Sequence, residues 1–257
     1  MTTISHAPTA VRHAGHAELI KLRSVRFNGW AVLGAVLLTI AFAVIVASSI
    51  AASAANGYDI TASSAGIAAD AIILGQLPVL MIGILLTTQE YGSGAIRLTL
   101  RSTPLRGQLL LARALVVGIL SFVLGGLLAT VGMITASWMI GEVDVASTAD
   151  RLRTVLGTGG YLALTGLLII GLGTVLRSTI VTILVTLLLL LAGPVLTQVS
   201  SADWLHTAQL YLPGTAGSVL MAPDGGDYGT GTALLILGCW AAVGQLVGYL
   251  ALWLRDA

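Results

Sequence analysis

The sequence predicts an all-α polytopic membrane protein with six transmembrane helices and both termini cytoplasmic. It also predicts an amphipathic N-terminal interfacial helix and an outer re-entrant segment before the last span. Three observations carry this reading. Mean hydropathy is +0.97 and only 9% of the 257 residues are charged, against roughly a quarter in a soluble domain. The charges gather in a few short stretches, and the apolar runs between them match the length a bilayer demands. With six spans and the termini inside, ten of the twelve Lys and Arg residues fall on the cytoplasmic side, as the positive-inside rule requires.

The whole chain, 1–257, reads as one transmembrane domain. Residues 1–16 form a flexible tail with no apolar core, so no secretory signal is expected there and the first span stays as an anchor. Residues 17–28 alternate charged and apolar side chains. Leu19, Leu22, Val25 or Arg26, and Phe27 would share much of one helical face, while Lys21 and Arg23 can reach lipid phosphates or the cytoplasm. That suits a helix lying along the inner leaflet; a solvated basic flank that merely enforces topology is the plainer alternative.

The six spans fall at about 30–52, 68–88, 113–140, 155–176, 179–199 and 231–254. The third is longer than one crossing needs, so it is tilted or extends into the cytoplasm. The Arg177-Ser178 turn must reverse the chain in very few residues. A single kinked span is the alternative there, but Val155 to Val199 is about twice the length of one crossing. Orientation follows from the basic residues: Arg151 and Arg153 alone fall outside. Trp30, Tyr91 and Trp253 mark inner span ends and Trp138 an outer one, as interfacial rings should; Trp240, well within the sixth span, is the exception. The outer segment 200–230 carries Trp204, Leu210, Tyr211, Val219 and Met221, broken by Pro213-Gly214. Such apolar content suits short helices dipping into the outer leaflet where protein covers their backbone. A surface loop is the alternative.

Few reactive residues are present, and that excludes several chemistries. Lys21 is the only lysine and follows no glycine-rich loop, so the chain lacks the phosphate loop of an ATPase. No His-Glu-x-x-His pattern and no paired intramembrane carboxylates suggest a membrane protease. Ser93, between Gly92 and Gly94, has no histidine base. Cys239 is the only cysteine, which rules out an intramolecular disulfide or a Cys-based metal site, and no metal site is expected. Asp70 lies near the outer edge of the second span. At greater depth the polar side chains are Gln76, Gln198 and Gln245, amides that more often bridge helices than bind ions, which disfavours a proton- or sodium-driven carrier. Gly244-x-x-x-Gly248 and Ser121-x-x-x-Gly125 allow close helix approach, within the chain or in a dimer, and Pro78 and Pro194 would kink the second and fifth spans.

The charged interruption from Glu90 to Arg113 holds four arginines and no lysine. Gly92 and Gly94 loosen the exit of the second span. Ile96, Leu98, Leu100 and Leu105 alternate with Arg97, Arg101 and Arg106, so a short helix here would be amphipathic. Thr103-Pro104 reads as an N-cap with Pro at the first helical position, starting a helix that runs through Arg113 into the third span. A surface helix joined rigidly to a transmembrane one can pass a push from a cytoplasmic partner into the membrane.

In these residues the chain resembles the permease subunits of ABC-2 type ABC transporters. The matching stretches are Glu18 to Ser24, Glu90 to Leu100, Pro104-Leu105-Arg106-Gly107 leading to Ala112-Arg113-Ala114, and Tyr211-Leu212-Pro213-Gly214. The resemblance implies a homodimer, or a pair with a related permease, resting on separate ATPase subunits that bind ATP and Mg; no cofactor is implied in this chain. Residues 90–112 would be the cytoplasmic coupling region, with Glu90, Arg97, Leu98, Leu100, Arg101 and Arg106 at the ATPase joint. Phosphate anchoring is a compatible reading of the three arginines. The family's path between permease halves would place Gln76, Pro78, Leu80, Pro194 and Gln198 near the cargo. With walls of Leu, Ile, Val and Ala, the implied activity is export of a small hydrophobic or amphipathic compound, drug-like or lipid-like, across a bacterial cytoplasmic membrane. Peptide or bacteriocin export, an immunity permease and a non-transporting membrane scaffold are the alternatives. Membrane lipid is an expected partner and nucleic acid is not.

Overall fold

A computed structural model describes residues 20, 22, 25–92, 106–199, 203–222, 226 and 228–254, with the backbone alone at 106, 193–199, 203 and 206. Its elements in chain order are α1 (Arg26–Ala55), α2 (Ser64–Gly92), α3 (Arg106–Ile140), a 3-10 turn (Gly141–Val143), α4 (Thr148–Leu176), α5 (Thr179–Val199), α6 (Asp203–Leu210), α7 (Pro213–Met221) and α8 (Thr230–Leu254). Among the described residues the only isolated strand-like pairing is the bridge Ala62–Asp144. Five helices, α1, α2, α3, α4 and α8, are long and apolar enough to cross a membrane, so the chain is an integral, multi-pass, helical membrane protein. Half of the predicted interfacial helix, 17–28, lies outside the described residues, and its last three residues, Arg26, Phe27 and Asn28, already belong to α1.

The helices outrun the predicted spans. Apolar sequence marks what a bilayer would cover, whereas the backbone ladder ends only where its orphan amides and carbonyls find other partners. α4 starts at Thr148 rather than near 155 because Ser147 and Asp150 form a capping box: Asp150 N–H donates to Ser147 Oγ (3.2 Å) and Ser147 N–H to Asp150 Oδ2 (2.9 Å). Arg151 and Arg153, expected in a loop, therefore stand on its first turns. α2 begins at Ser64, whose amide donates to Asp144 Oδ1 (2.9 Å) from a distant connection. α3, at 35 residues, is roughly 52 Å long, well beyond a hydrocarbon core of about 30 Å; the long third span is one continuous helix.

α4 is the hub, packed along α3 and α8 and also touching α2, α5 and α7. Helices in lipid associate by close packing rather than by hydrophobic drive, which favours small residues at their crossings. At the α3–α4 crossing, a methyl group on Gly125 would stand 2.7 Å from the Thr158 carbonyl oxygen, and one on Gly159 would stand 2.9 Å from that of Phe122. Where α4 meets α8, a methyl on Gly171 would collide with the Gly244 carbonyl, and one on Gly248 would lie 3.0 Å from Gly171 Cα. Both small-residue motifs read from the sequence thus pack on α4 within the chain. α1 uses alanine for the same purpose: Ala31, Ala35, Thr39, Ala43 and Ala47, at four-residue steps, are its buried residues, and Thr39 fits against Gly75 of α2 and Gly132 of α3.

A clasp closes one end of the bundle. The connection before α2 meets that after α3 through Ala62 N–H to Val143 O (3.0 Å) and Val145 N–H to Ala62 O (2.9 Å). Asp144 then holds three elements at once. Oδ1 accepts from the Ser64 and Ala146 amides and Oδ2 from Arg151 (2.9 Å). Burial pushes its carboxyl up, but hydrogen bonds from Ser64 and Ala146 and the Arg151 charge outweigh this and hold it below the usual aspartate range. The segment after α5 forms two short helices. α7 has Pro213 at its first position, where the missing amide costs nothing. It buries Ala216, Gly217, Val219, Leu220 and Met221 against α4, α5 and α8.

Candidate functional site: a polar clamp and a cavity

At the end of the bundle opposite the clasp, α2, α3, α4 and α5 are tied together by polar side chains. Glu90, in the last turn of α2, forms an ion pair with Arg113, two turns into α3; their side chains are only 12% and 2% exposed. Arg177 closes α4 in the left-handed conformation (φ 52°), the one non-glycine residue with positive φ among those described. Its N–H donates to Gly173 O at 3.0 Å. That backbone, which costs a non-glycine residue on the order of 1 kcal/mol or more, places the guanidinium 5.2 Å above the Tyr91 ring, a cation–π contact. Next to it, Thr88 Oγ1 and Thr179 Oγ1 share a hydrogen bond of 2.8 Å between α2 and α5.

Of the predicted coupling residues, Glu90 is therefore engaged inside the chain, with Arg113 of α3. Arg97, Leu98, Leu100 and Arg101 lie outside the described residues. Arg106 opens α3, and only its backbone is described. Sequence reasoning did not single out Arg113 or Arg177 as site residues, because both served the positive-inside count. The available signal was position: an arginine heading a long apolar run needs a partner, and a two-residue reversal at Arg177-Ser178 needs a special backbone.

A cavity of about 400 Å³ opens at the clasp end. Phe42 and Val46 of α1, Leu190 of α5 and Met221 of α7 give it apolar walls, and α2 contributes Asp70, Ile73 and Gln76. Tyr161 of α4 closes the deep side: its hydroxyl donates to Gln76 Oε1 at 2.7 Å, and its ring rests where Gly217 has no side chain. Gln209, Thr215 and Ser218 add polar groups from α6 and α7.

The predicted path residues divide accordingly. Gln76 lines the cavity, but Pro78 lies on another face of α2, against Gly34 of α1, because two residues turn a helix by about 200°. Leu80, one turn beyond Gln76, is buried in the core. Pro194 and Gln198 lie on α5, with only their backbone described. The expectation that intramembrane amides bridge helices holds at two described positions. Gln76 joins α2 to α4, and Gln245 joins α8 to α4 by donating to Leu167 O at 2.5 Å. Trp240, out of place as an interfacial ring, has a specific partner, donating from Nε1 to Tyr211 O (2.8 Å).

Residues 16–193 match the family model described as ABC-2 family transporter protein. The match spans α1 to α4 and most of α5, and includes the clamp, the region after Glu90 and the α2 wall of the cavity. The chain belongs to the ABC-2 transporter family. No curated protein matches it. As an ABC-2 family member it is the membrane component of a transporter, a role that implies pairing with an ABC ATPase subunit.

Proposed function

We propose that this ABC-2 protein is the permease subunit of an ATP-driven exporter, with six spans, α5 being the fifth, and both termini in the cytoplasm of a bacterial cell. It carries a small hydrophobic or amphipathic compound outward. ATP and Mg are bound by a separate ATPase, and the permease acts as a homodimer or beside a related permease. In this orientation the clamp faces the cytoplasm and the cavity opens in the outer half of the bilayer.

The observation that carries this reading is the clamp beside the coupling region. Residues 93–105 connect α2, which ends two residues after Glu90, to α3, in which Arg113 stands two turns from the start. A buried ion pair locks those two helices to each other, so a force on the intervening segment moves both helices rather than bending one. Arg177 on Tyr91 and Thr88 on Thr179 extend the same linkage to α4 and α5, and α2 also walls the cavity. The test is transport. Inside-out vesicles carrying the permease with its ATPase should accumulate an amphipathic fluorescent dye only when ATP is present. Equal accumulation with a non-hydrolysable ATP analogue contradicts the proposal.

A further inference from the structure

The cavity's polar groups are unevenly signed. Asp70 stands on its α2 wall, exposed to the opening, six residues into the helix and so roughly 9 Å below its first residue. Tyr161, Gln76, Gln209, Thr215 and Ser218 supply the remaining polar groups, all neutral. Among the described residues, no Lys, Arg or His lines the cavity. Three other described acids are engaged within the chain: Glu90 with Arg113, Asp144 with Arg151, and Asp150 with Ser147. Among the described residues Asp70 has no cationic partner.

A carboxylate near the outer edge of a span and set beside apolar walls is costly to leave without a counter-charge, and such a group by default marks a binding function. Here the described residues offer none, while the volume falls in the range of small-molecule sites, which are mostly apolar with a few placed polar groups. Ser218 already donates its hydroxyl proton to Thr215 O (2.8 Å), and Gln76 Oε1 already accepts from Tyr161. The lining therefore offers one carboxylate and neutral polar groups, set among Phe42, Ile73, Leu190 and Met221.

We infer that the cavity is a binding site for a small lipophilic monocation, with Asp70 as its counter-charge and the apolar wall holding its body. The inference rests on the permease reading and narrows the cargo class within it: anionic amphiphiles are selected against by the carboxylate.

Tetraphenylphosphonium and tetraphenylborate share a shape and differ in the sign of their charge. Saturable binding of each is measured on the full chain with its ATPase in zwitterionic nanodiscs, without ATP and against empty discs. The wild type and Asp70→Glu should bind the phosphonium saturably and show no saturable binding of the borate. Asp70→Asn should bind the phosphonium roughly tenfold more weakly or worse, the loss expected for a charged contact. Equal affinity in Asp70→Asn, borate binding equal to that of the phosphonium, or no saturable phosphonium binding by the wild type would each overturn the inference. If Asp70→Asn does not fold, the sign preference of the wild type and Asp70→Glu decides alone. A complex that exports dye in an ATP-dependent way yet ignores the charge of the probe overturns this inference and leaves the permease reading standing. Phosphonium binding through Asp70 without any ATP-driven transport does the reverse.

Discussion

Arg113 is the largest fully buried side chain among the described residues, and its position shows what a single residue contributes here. Removing one member of a buried ion pair strands the other's charge, at a cost of about 3–5 kcal/mol, whereas removing both together costs far less. Arg113→Met should therefore lower the thermal unfolding temperature in detergent much more than Arg113→Met combined with Glu90→Gln. Equal losses in the single and double variants would show that the pair is not the unit. Asp144 gives a pH-dependent counterpart at the clasp. Its carboxyl is depressed in the folded protein, so the stability it adds is fully present above the ordinary aspartate value of 3.8 and disappears as pH falls through the lower folded value. Asp144→Asn keeps an acceptor for the Ser64 amide but loses the charge that faces Arg151. It should therefore be less stable than wild type at neutral pH, by roughly 0.5 kcal/mol for a partly exposed pair, and the difference should vanish in strong acid. Unfolding temperatures at a series of pH values check both statements. Neither role was legible in the sequence. Glu90 and Arg113 are 23 positions apart, and the Asp144 partners include Ser64, 80 positions away; no local pattern encodes such distances.

At the scale of helices, the crossings on α4 set the stability. Gly171→Ala pushes a methyl group into the Gly244 backbone, and overpacking of that kind costs about 1–3 kcal/mol. A methyl group on Gly238 of α8 would meet nothing within 4 Å. Gly238→Ala should hold or slightly raise stability, since Gly disfavours a helix interior by roughly 1 kcal/mol relative to Ala. Thermal unfolding of the two variants side by side separates crowding from helix propensity. The sequence exposed one half of this contact: Gly244-x-x-x-Gly248 announced a close approach. Its partner Gly171 was invisible among 31 glycines, so the choice between a contact within the chain and one in a dimer stayed open until the fold answered it. Helix positions were legible because bilayer-length apolar runs are unmistakable. Their ends were not, because Ser147, Asp150 and Asp144 extend helices into polar sequence by hydrogen bonding.

For the whole molecule, charge and hydropathy carried the class of protein, and motifs spread over the chain carried the resemblance that the family match then established. The cavity was harder to see. Gln76 was picked out as a polar group at depth, but Tyr161, Gln209, Thr215 and Ser218 come together only when α4, α6 and α7 close around α2. In the proposed function the stroke comes from a separate ATPase and enters through the segment after Glu90, with the clamp passing it to α2 and α3. The most direct measurement is ATP hydrolysis by the purified partner ATPase, with and without reconstituted permease, for wild type and Arg97→Glu. Wild type should stimulate hydrolysis and Arg97→Glu should not, although it reaches the membrane in normal amount and unfolds at the wild-type temperature. Undiminished stimulation by Arg97→Glu, or none by wild type, would contradict the claim.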